Sequence, residues 1–251
     1  MRFGMENANP VKNPASTCVK LDDLSVEEDK PADVPYQEAI GALLYVVQGT
    51  RPDIAYIVGA LSRYNQNPKI GHWNAVKRVY RYLKGTMNYS IKYTKDGVLY
   101  GYTDSDYASD KDRKSISGNV FLMNGGPVSW CSRKQKIVAM SSTEAEYVAL
   151  GAAVQEALWL KQIIQEVEGD TQTVKIYCDN KSTINLSEQE VLQQRTKHID
   201  IRYKFVKHYV SENSIKLQFV GTNENIADIF TKPTTAEKFF SMCEKMHLNY
   251  N

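Results

Sequence analysis

Residues 98 to 132, VLYGYTDSDYASDKDRKSISGNVFLMNGGPVSWCS, decide the fold of this chain. They predict strands from Val98 to Thr103, from Gly118 to Met123 and from Val128 to Ser132, because these stretches are rich in β-branched and aromatic side chains. Asn124-Gly125-Gly126 separates the last two strands, and Asn-Gly is a strong hairpin signal. The stretch therefore predicts three strands, of which the last two form a hairpin.

Further elements are predicted around these strands. Thr143-x-x-Glu146 has the pattern of a capping box and predicts the start of a long helix whose apolar side chains recur at helical spacing. The remaining predicted elements are strands at Ile91–Tyr93, Lys136–Met140, Val174–Cys178 and Ile215–Val220, a helix from about Arg195 to Val210, and a helix capped by Asn223 that carries Asp228. Strands that alternate with helices indicate an α/β fold.

The first part of the chain has a different character. Residues 1–34 are rich in Asn, Pro, Asp and Glu, which is typical of a linker. Residues 35–95 predict three helices, of which the third runs from about Ile70 to Lys84. Four basic side chains lie beside its apolar stripe: Lys77, Arg78, Arg81 and Lys84. They are compatible with a solvated face or with contacts to a nucleic-acid backbone.

The composition of the chain excludes few classes of function. The chain has 251 residues, 42% hydrophobic and 24% charged, and its net charge of +2 gives no argument for nucleic acid by itself. The four cysteines lack C-x-x-C spacing, so we expect reduced thiols rather than a disulfide frame. The N-terminus has no apolar signal core. These features predict an intracellular protein, in the cytoplasm or nucleus, that is not secreted.

Four acidic residues lie at the ends of predicted elements: Asp104, Glu146, Asp179 and Asp228. A hard cation such as Mg²⁺ prefers oxygen ligands, and two adjacent ions can bind the attacking and leaving oxygens of a phosphodiester displacement. Any one of these acids alone is more typical of a surface residue. The case for Asp228 is the weakest, because an acid early in a helix commonly complements the helix dipole. Together, the four predict a divalent-metal site.

Spacing separates some of these acids from their neighbours. Asp104 and Asp106 lie on one face of a strand, so spacing does not choose between them. Glu144 and Glu146 point about 200° apart on a helix, and Glu146 is favoured because it lies at the edge of the apolar stripe. Asp179 follows a mostly apolar strand at its C-terminal end, where open α/β sheets bind ligands.

Six motifs between Gly101 and about Lys232 resemble the ribonuclease H domain at the end of a copia-type LTR-retrotransposon Pol polyprotein. The motifs are Tyr102-Thr-Asp-Ser-Asp-Tyr107, Asp112-Arg-Lys-Ser-Ile-Ser-Gly118, Ser141-Ser-Thr-Glu-Ala-Glu-Tyr147, Tyr177-Cys-Asp-Asn180, Arg195-Thr-Lys-His-Ile-Asp-Ile-Arg202 and Ala227-Asp-Ile-Phe-Thr-Lys-Pro233. Upstream, Arg51–Tyr56 and Ala75–Gly85 resemble the segment that joins the polymerase thumb to that domain. Arg2–Glu6 resembles the end of the thumb, so the resemblance covers nearly the whole chain.

This resemblance implies an α/β fold, with a ribonuclease H-like mixed five-stranded sheet flanked by helices and preceded by a small helical connection segment. The implied division is 1–34 as a linker or remnant of the thumb, 35–95 as the connection segment, 96–234 as the ribonuclease H-like domain and 235–251 as a C-terminal helix or tail.

The resemblance also implies an activity, the metal-dependent endonucleolytic hydrolysis of the RNA strand of an RNA–DNA hybrid. Asp104, Glu146, Asp179 and Asp228 take the positions of the catalytic and metal-binding acids. Two Mg²⁺ ions, or Mn²⁺ in their place, would activate water and stabilise the leaving 3′-oxygen. The implied partners are the hybrid and the missing reverse transcriptase portion, and no membrane contact is expected.

Five residues are expected to contact the nucleic acid: Lys197, His198, Arg202, Lys204 and Asn180. For the basic helix face a plain solvated surface is the alternative. Many ribonuclease H domains carry a histidine in the loop before the fourth acid. Residues 220–225 contain none, and His198 is a candidate substitute.

The Tyr-x-Asp-Asp motif of polymerases is absent from the sequence, so we expect no DNA polymerase activity from this chain alone. A second hypothesis follows, in which the chain is a catalytically silent nucleic-acid-binding or assembly remnant of a truncated Pol polyprotein. The intact Asp104, Glu146 and Asp179 favour the nuclease.

Overall fold

A computed structural model of the chain describes residues 3–18, 21–24, 34–95, 97–169, 172–188 and 197–250. It forms two compact units, one from Met1–Lys92 with Lys232–Asn251 and the other from Tyr93–Thr231. The four-segment division expected from the sequence stays a prediction. Among the described helices, none is long and apolar enough to cross a membrane.

The helices and strands are named in chain order. They are α1 (Leu21–Leu24), α2 (Tyr36–Gly49), a first 3₁₀ helix (Pro52–Ile54), α3 (Ala55–Ser62), α4 (Ile70–Gly85), β1 (Tyr89–Ile91), β2 (Tyr100–Asp106), β3 (Ile116–Met123), β4 (Gly126–Lys134), α5 (Ser142–Glu168), β5 (Val174–Cys178), α6 (Lys181–Glu188), α7 (Lys197–Ser211), β6 (Ile215–Phe219), a second 3₁₀ helix (Ile226–Phe230), α8 (Ala236–Lys245) and β7 (Leu248–Tyr250).

The first unit is mainly helical and contains α1 to α4, α8, β1 and β7. Its two strands pair antiparallel, with Ser90 opposite Asn249. The strand expected at Ile91–Tyr93 is therefore shifted toward the N-terminus, and it belongs to this small sheet rather than to the five-stranded one.

A buried ion pair lies in the interior of the first unit. The Arg51 guanidinium donates from Nε to Asp53 Oδ1 (3.0 Å) and from Nη2 to Oδ2 (2.8 Å). The Tyr82 hydroxyl donates to the same carboxylate at 2.5 Å, and Arg51 Nη1 donates to the Thr86 carbonyl oxygen at 3.2 Å. Because both charges are buried, each depends on these partners to offset its desolvation.

The basic side chains of α4 bind the N-terminal segment of the same unit. Arg78 Nη2 donates to Asn13 Oδ1, and Arg81 Nε donates to the carbonyl oxygen of Asn9, both at 2.6 Å. Lys84 also donates to backbone carbonyls of this segment. These three cations are thus hydrogen-bonded within the chain, and a contact of this helix with nucleic acid stays a prediction.

The second unit is built on a five-stranded mixed sheet with the strand order β4-β3-β2-β5-β6. β3 pairs antiparallel with β2 and β4, whereas β5 pairs parallel with β2 and β6. Apolar side chains of α5, α7, β5 and β6 form one buried cluster. The rings of Tyr147 on α5 and Tyr203 on α7 stack at 3.9 Å within it. This stacking joins α5 to α7 inside the cluster.

The predicted hairpin is present, and its turn is Asn124-Gly125. Both residues have positive φ, 55° and 81°, which is the pattern of a type I′ turn and explains the Asn-Gly sequence. The strand predicted at Lys136–Met140 is wrong, since this segment is irregular. It connects β4 to α5, and among its residues only Ala139 is buried.

Two predicted helix caps are also wrong. Ser141, not Thr143, caps α5, because its hydroxyl accepts a hydrogen bond from the Glu144 amide (3.1 Å). Asn225, not Asn223, caps the segment that carries Asp228, which is the second 3₁₀ helix rather than an α-helix. In both cases the cap is the residue that reaches the free N–H groups of the first turn.

Candidate metal centre

The parallel pairing of β2 and β5 brings two of the predicted acids to one edge of the sheet. Thr103 pairs with Cys178, so Asp104 and Asp179 come next on adjacent strands. Asp104 is buried and Asp179 is half-buried. Because both parallel strands run in the same direction, their C-terminal ends place these carboxylates side by side. Asp106, two residues further on, is half-buried at the last position of β2.

Glu146 reaches this edge from the second turn of α5. Its Oε1 accepts a hydrogen bond from the Ser105 backbone N–H at 3.2 Å, which ties the helix to β2. Its neighbour Glu144 points elsewhere and accepts from the Met140 amide at 2.9 Å. Because Ser141 caps the helix, Glu144 lies in its first turn. Glu146 lies about 200° further around the helix and faces the sheet.

The environment of Glu146 is unfavourable for its charge. Burial raises the pKa of Glu146 well above its usual value, and the charges of Asp104 and Asp179 raise it further. Within the described part of the chain, its Oε2 is buried without a hydrogen-bond partner. Buried carboxylate oxygens are normally paired, so Oε2 is a candidate position for a cation, a proton or a water molecule.

Asp228 is held near β2 by two hydrogen-bonding side chains. Asn225 donates from Nδ2 to the Thr103 carbonyl oxygen (3.0 Å), and its Oδ1 accepts from the Ala227 amide (3.1 Å). The Thr231 hydroxyl lies 2.5 Å from Asp104 Oδ2 and 2.9 Å from the Asp228 carbonyl oxygen. These contacts link the second 3₁₀ helix to the strand that carries Asp104. The Asp228 side chain is fully buried there.

Close packing of the 3₁₀ helix on the sheet requires a glycine. Gly118 on β3 lies opposite Asp104 on β2. A Cβ atom at Gly118 would lie 2.7 Å from Thr231 Cγ2, 2.8 Å from Phe230 Cβ and 3.0 Å from the Ala227 carbonyl oxygen. Side chains at this position would therefore push Thr231 and its neighbours away from β2.

The tightest group of possible metal ligands in the described residues consists of Glu146, Cys178 and Asp179. One ligand atom from each lies within 4.8 Å of the other two. Asp104 and Asp228 are not part of this tight group, although Asp104 acts electrostatically on Glu146. The carboxylate oxygens and the partnerless Oε2 fit a hard divalent cation. The carboxylates of this group are therefore compatible with a divalent metal ion, and the identity of that ion as Mg²⁺ stays a prediction.

Several residues of the site were missed by the sequence reasoning. Thr231 and Cys178 lie inside two of the six motifs, but the motifs gave no reason to assign them a role. Thr222 is a third case, since its hydroxyl donates to Asp179 Oδ2 at 2.8 Å. It belongs to the loop at 220–225 that lacks a histidine, so this loop nevertheless contacts one of the acids.

The residues that are expected to contact nucleic acid differ in their burial and in their contacts. Asn180 follows Asp179 directly, and its Oδ1 accepts from the Thr183 amide (3.0 Å) at the start of α6. Lys204 is exposed on α7, whereas Arg202 is half-buried, and its side chain passes over Gly151 of α5. Lys197 and His198 lie in α7, but their side chains are outside the described residues.

Comparisons with known proteins agree with this architecture. Residues 103–217 match a family described as reverse transcriptase-like. The retrovirus-related Pol polyprotein from transposon TNT 1-94 of Nicotiana tabacum is 43% identical over 258 residues, covering 99% of this chain and 19% of the polyprotein. The chain thus spans about a fifth of the length of that relative.

Two solved structures are similar to this chain at low sequence identity. A foamy viral protease–reverse transcriptase in complex with double-stranded DNA aligns with a TM-score of 0.50 and 13% identity, covering 80% of this chain and 40% of that one. LC11-RNase H1, isolated from compost by a metagenomic approach, aligns with a TM-score of 0.43 and 16% identity, covering 54% of this chain and 94% of that one.

The strand order agrees with the fold that the sequence predicted, a ribonuclease H-like α/β domain with a mixed five-stranded sheet flanked by helices. The chain belongs to the retrovirus-related Pol polyproteins of copia-type retrotransposons.

Proposed function

We propose that the second unit is a metal-dependent nuclease that hydrolyses the RNA strand of an RNA–DNA hybrid. One observation carries the proposal: Glu146 on α5 lies beside Asp104, near the C-terminal end of β2, and Asp179, directly after β5, and its buried Oε2 has no hydrogen-bond partner among the described residues. Three carboxylates this close together repel one another when ionised, and a bound cation would neutralise this repulsion.

The acids have separable roles in this proposal. Glu146 and Asp179 would hold a divalent ion, with Asp104 and Asp228 completing the negative edge. Mg²⁺, when bound, would supply charge stabilisation for phosphodiester hydrolysis and a more acidic water. Thr231 and Asn225 are positioning residues, since they hold the 3₁₀ helix and the Asp104 carboxylate together.

The proposed substrate rests on family membership and on the surroundings of the site. Asn180 and Lys204 stay candidates for contacts to the hybrid, together with Lys197 and His198. For Arg202 a packing role against α5 has more support, because its side chain passes over Gly151 rather than into solvent. Selection of a hybrid would come from groove shape and 2′-hydroxyl contacts rather than from base reading.

Cleavage of a labelled RNA–DNA hybrid tests the proposal, with double-stranded RNA and double-stranded DNA as comparison substrates. The wild-type chain is assayed with Mg²⁺ and with chelator. We expect loss of the RNA strand only, and a fall of roughly 100-fold or more in Asp179→Asn. Asp112→Asn is the matched control, because its carboxylate is exposed and pairs with Lys134 instead of lining the site.

Two results would count against the nuclease. Cleavage that survives in Asp179→Asn would remove the site assignment. Binding of the hybrid without any cleavage, under all metal conditions, would favour the silent remnant of a Pol polyprotein.

A further inference from the structure

Cys178 is the last residue of β5, and its thiol lies among the carboxylates of the candidate metal centre. Its Sγ and one carboxylate oxygen from each of Glu146 and Asp179 are mutually within 4.8 Å. Mg²⁺ and Mn²⁺ prefer oxygen ligands, so the proposed nuclease mechanism assigns no role to the Cys178 sulfur. A thiol beside two carboxylates is a donor set that borderline ions prefer.

The distances agree with ligation of a single ion. Zn²⁺ binds sulfur at about 2.3 Å and carboxylate oxygen at about 2.0–2.2 Å, so two donors on one tetrahedral ion lie roughly 3.5 Å apart. Side-chain adjustments of about an ångström bring all three donors of this group to that separation. Three protein ligands leave a fourth position for water.

Two further contacts point to a cation at this position. Glu146 Oε2 is more than nine-tenths buried and has no hydrogen-bond partner among the described residues. The Asn180 backbone N–H donates to Cys178 Sγ at 3.4 Å, which favours negative charge on the sulfur. An unpartnered carboxylate oxygen and a sulfur with a backbone donor therefore lie together in one buried group.

We propose that Glu146, Cys178 and Asp179 form a second, thiophilic metal-binding mode, which takes Zn²⁺ or Co²⁺ through two carboxylates and one thiolate. The thiol proton passes to solvent as the metal–sulfur bond forms. The ion occupies the carboxylates on which hard-ion binding depends, so Zn²⁺ excludes Mg²⁺ from the site. Inhibition of cleavage by Zn²⁺ follows, and this consequence alone rests on the proposed nuclease function.

Cobalt spectroscopy tests the site without reference to cleavage. The full chain is titrated with Co²⁺ in the absence of Mg²⁺, in a background where Cys18 and Cys131 are replaced by serine so that more exposed thiols do not compete. We expect one Co²⁺ per chain with a thiolate-to-cobalt charge-transfer band. The band should vanish in Cys178→Ala and persist in Cys243→Ala, the matched control at the other buried cysteine.

Binding constants give the second readout. Zn²⁺ affinity by calorimetry should fall about tenfold or more in Cys178→Ala and in Asp179→Asn, and should be unchanged in Cys243→Ala. Circular dichroism and thermal unfolding establish that each variant is folded. The Zn²⁺ concentration that halves Mg²⁺-dependent cleavage should rise by a similar factor in Cys178→Ala, relative to the rate of that variant without Zn²⁺.

The possible negative results test different parts of the proposal. Co²⁺ that binds the background chain without a thiolate band overturns the thiophilic mode, whatever the variants do, and so does a band that persists in Cys178→Ala. A band in a chain that never cleaves the hybrid supports the metal site and overturns the nuclease. Zn²⁺ inhibition that is equal in Cys178→Ala and Cys243→Ala overturns the inhibitory consequence.

Discussion

Replacement of Gly118 by alanine should disturb the candidate metal centre without touching any acid. The added Cβ would lie 2.7 Å from Thr231 Cγ2 and 2.8 Å from Phe230 Cβ. Carbon atoms in favourable contact are about 3.5–4.0 Å apart, so the end of the 3₁₀ helix has to move by roughly 1 Å. Rotation of a side chain cannot remove the contact with Phe230 Cβ, because a Cβ atom is bonded directly to the backbone, and rotation of the Thr231 side chain would move its hydroxyl as well as its methyl group.

A shift of this size has calculable consequences. The Thr231 hydroxyl now lies 2.5 Å from Asp104 Oδ2, and a displacement of about 1 Å carries it beyond hydrogen-bond distance. Overpacking of a well-packed interior costs about 1–3 kcal/mol in the free energy of unfolding. Since Asp228 moves with the helix, we expect cleavage to fall by around 100-fold, the typical effect of a misplacement of about 1 Å.

Urea unfolding and hybrid cleavage measure the two effects of Gly118→Ala. Gly151→Ala is the matched control, because a Cβ there meets only Arg202 Cδ, at an ordinary 3.8 Å. Gly151 lies in the middle of α5, so this control should be neutral or stabilise the chain by up to about 1 kcal/mol. Wild-type stability and cleavage in Gly118→Ala would refute the argument that close packing on β3 positions the site.

Three other changes test the buried charges and the hydroxyl at the site. Asp53→Ala leaves the buried Arg51 guanidinium without its carboxylate partner, so it should lower the free energy of unfolding, measured by urea denaturation, by about 3–5 kcal/mol. A loss of less than about 1 kcal/mol would contradict a buried pair. Thr231→Val keeps the shape but removes the hydroxyl beside Asp104, so it should cost roughly 1–3 kcal/mol and reduce cleavage; unchanged cleavage would remove Thr231 as a positioning residue. The pKa of Glu146 is raised in the folded, metal-free protein. Between the usual glutamate pKa and this raised pKa, the folded protein keeps a proton that the unfolded chain has lost. The free energy of unfolding should therefore fall as the pH rises through this range. Glu146→Gln should abolish this fall in chelator-treated protein, and an identical pH dependence in both proteins would argue against the raised pKa.

Features that depend on local patterns could be predicted from the amino-acid sequence alone. The hairpin was predictable because Asn124-Gly125 supplies the positive φ values that a two-residue turn requires. Glu146 was separable from Glu144 because helical spacing sends them to opposite sides. Asp179 was a candidate from the sequence because it directly follows a mostly apolar strand. The resemblance to copia-type Pol polyproteins added the family, which the comparisons confirm.

Features that join distant parts of the chain became visible in the folded molecule and could not be predicted from local patterns. Asn225 rather than Asn223 caps the 3₁₀ helix, since Asn225 also bonds the carbonyl of Thr103, 122 positions away. The basic side chains of α4 bind the N-terminal segment, and no periodicity in either stretch reports that contact. Cys178 becomes a possible ligand because β5 pairs with β2 and α5 crosses the end of both strands. Such contacts depend on the register and packing of elements, which local patterns of side chains do not encode.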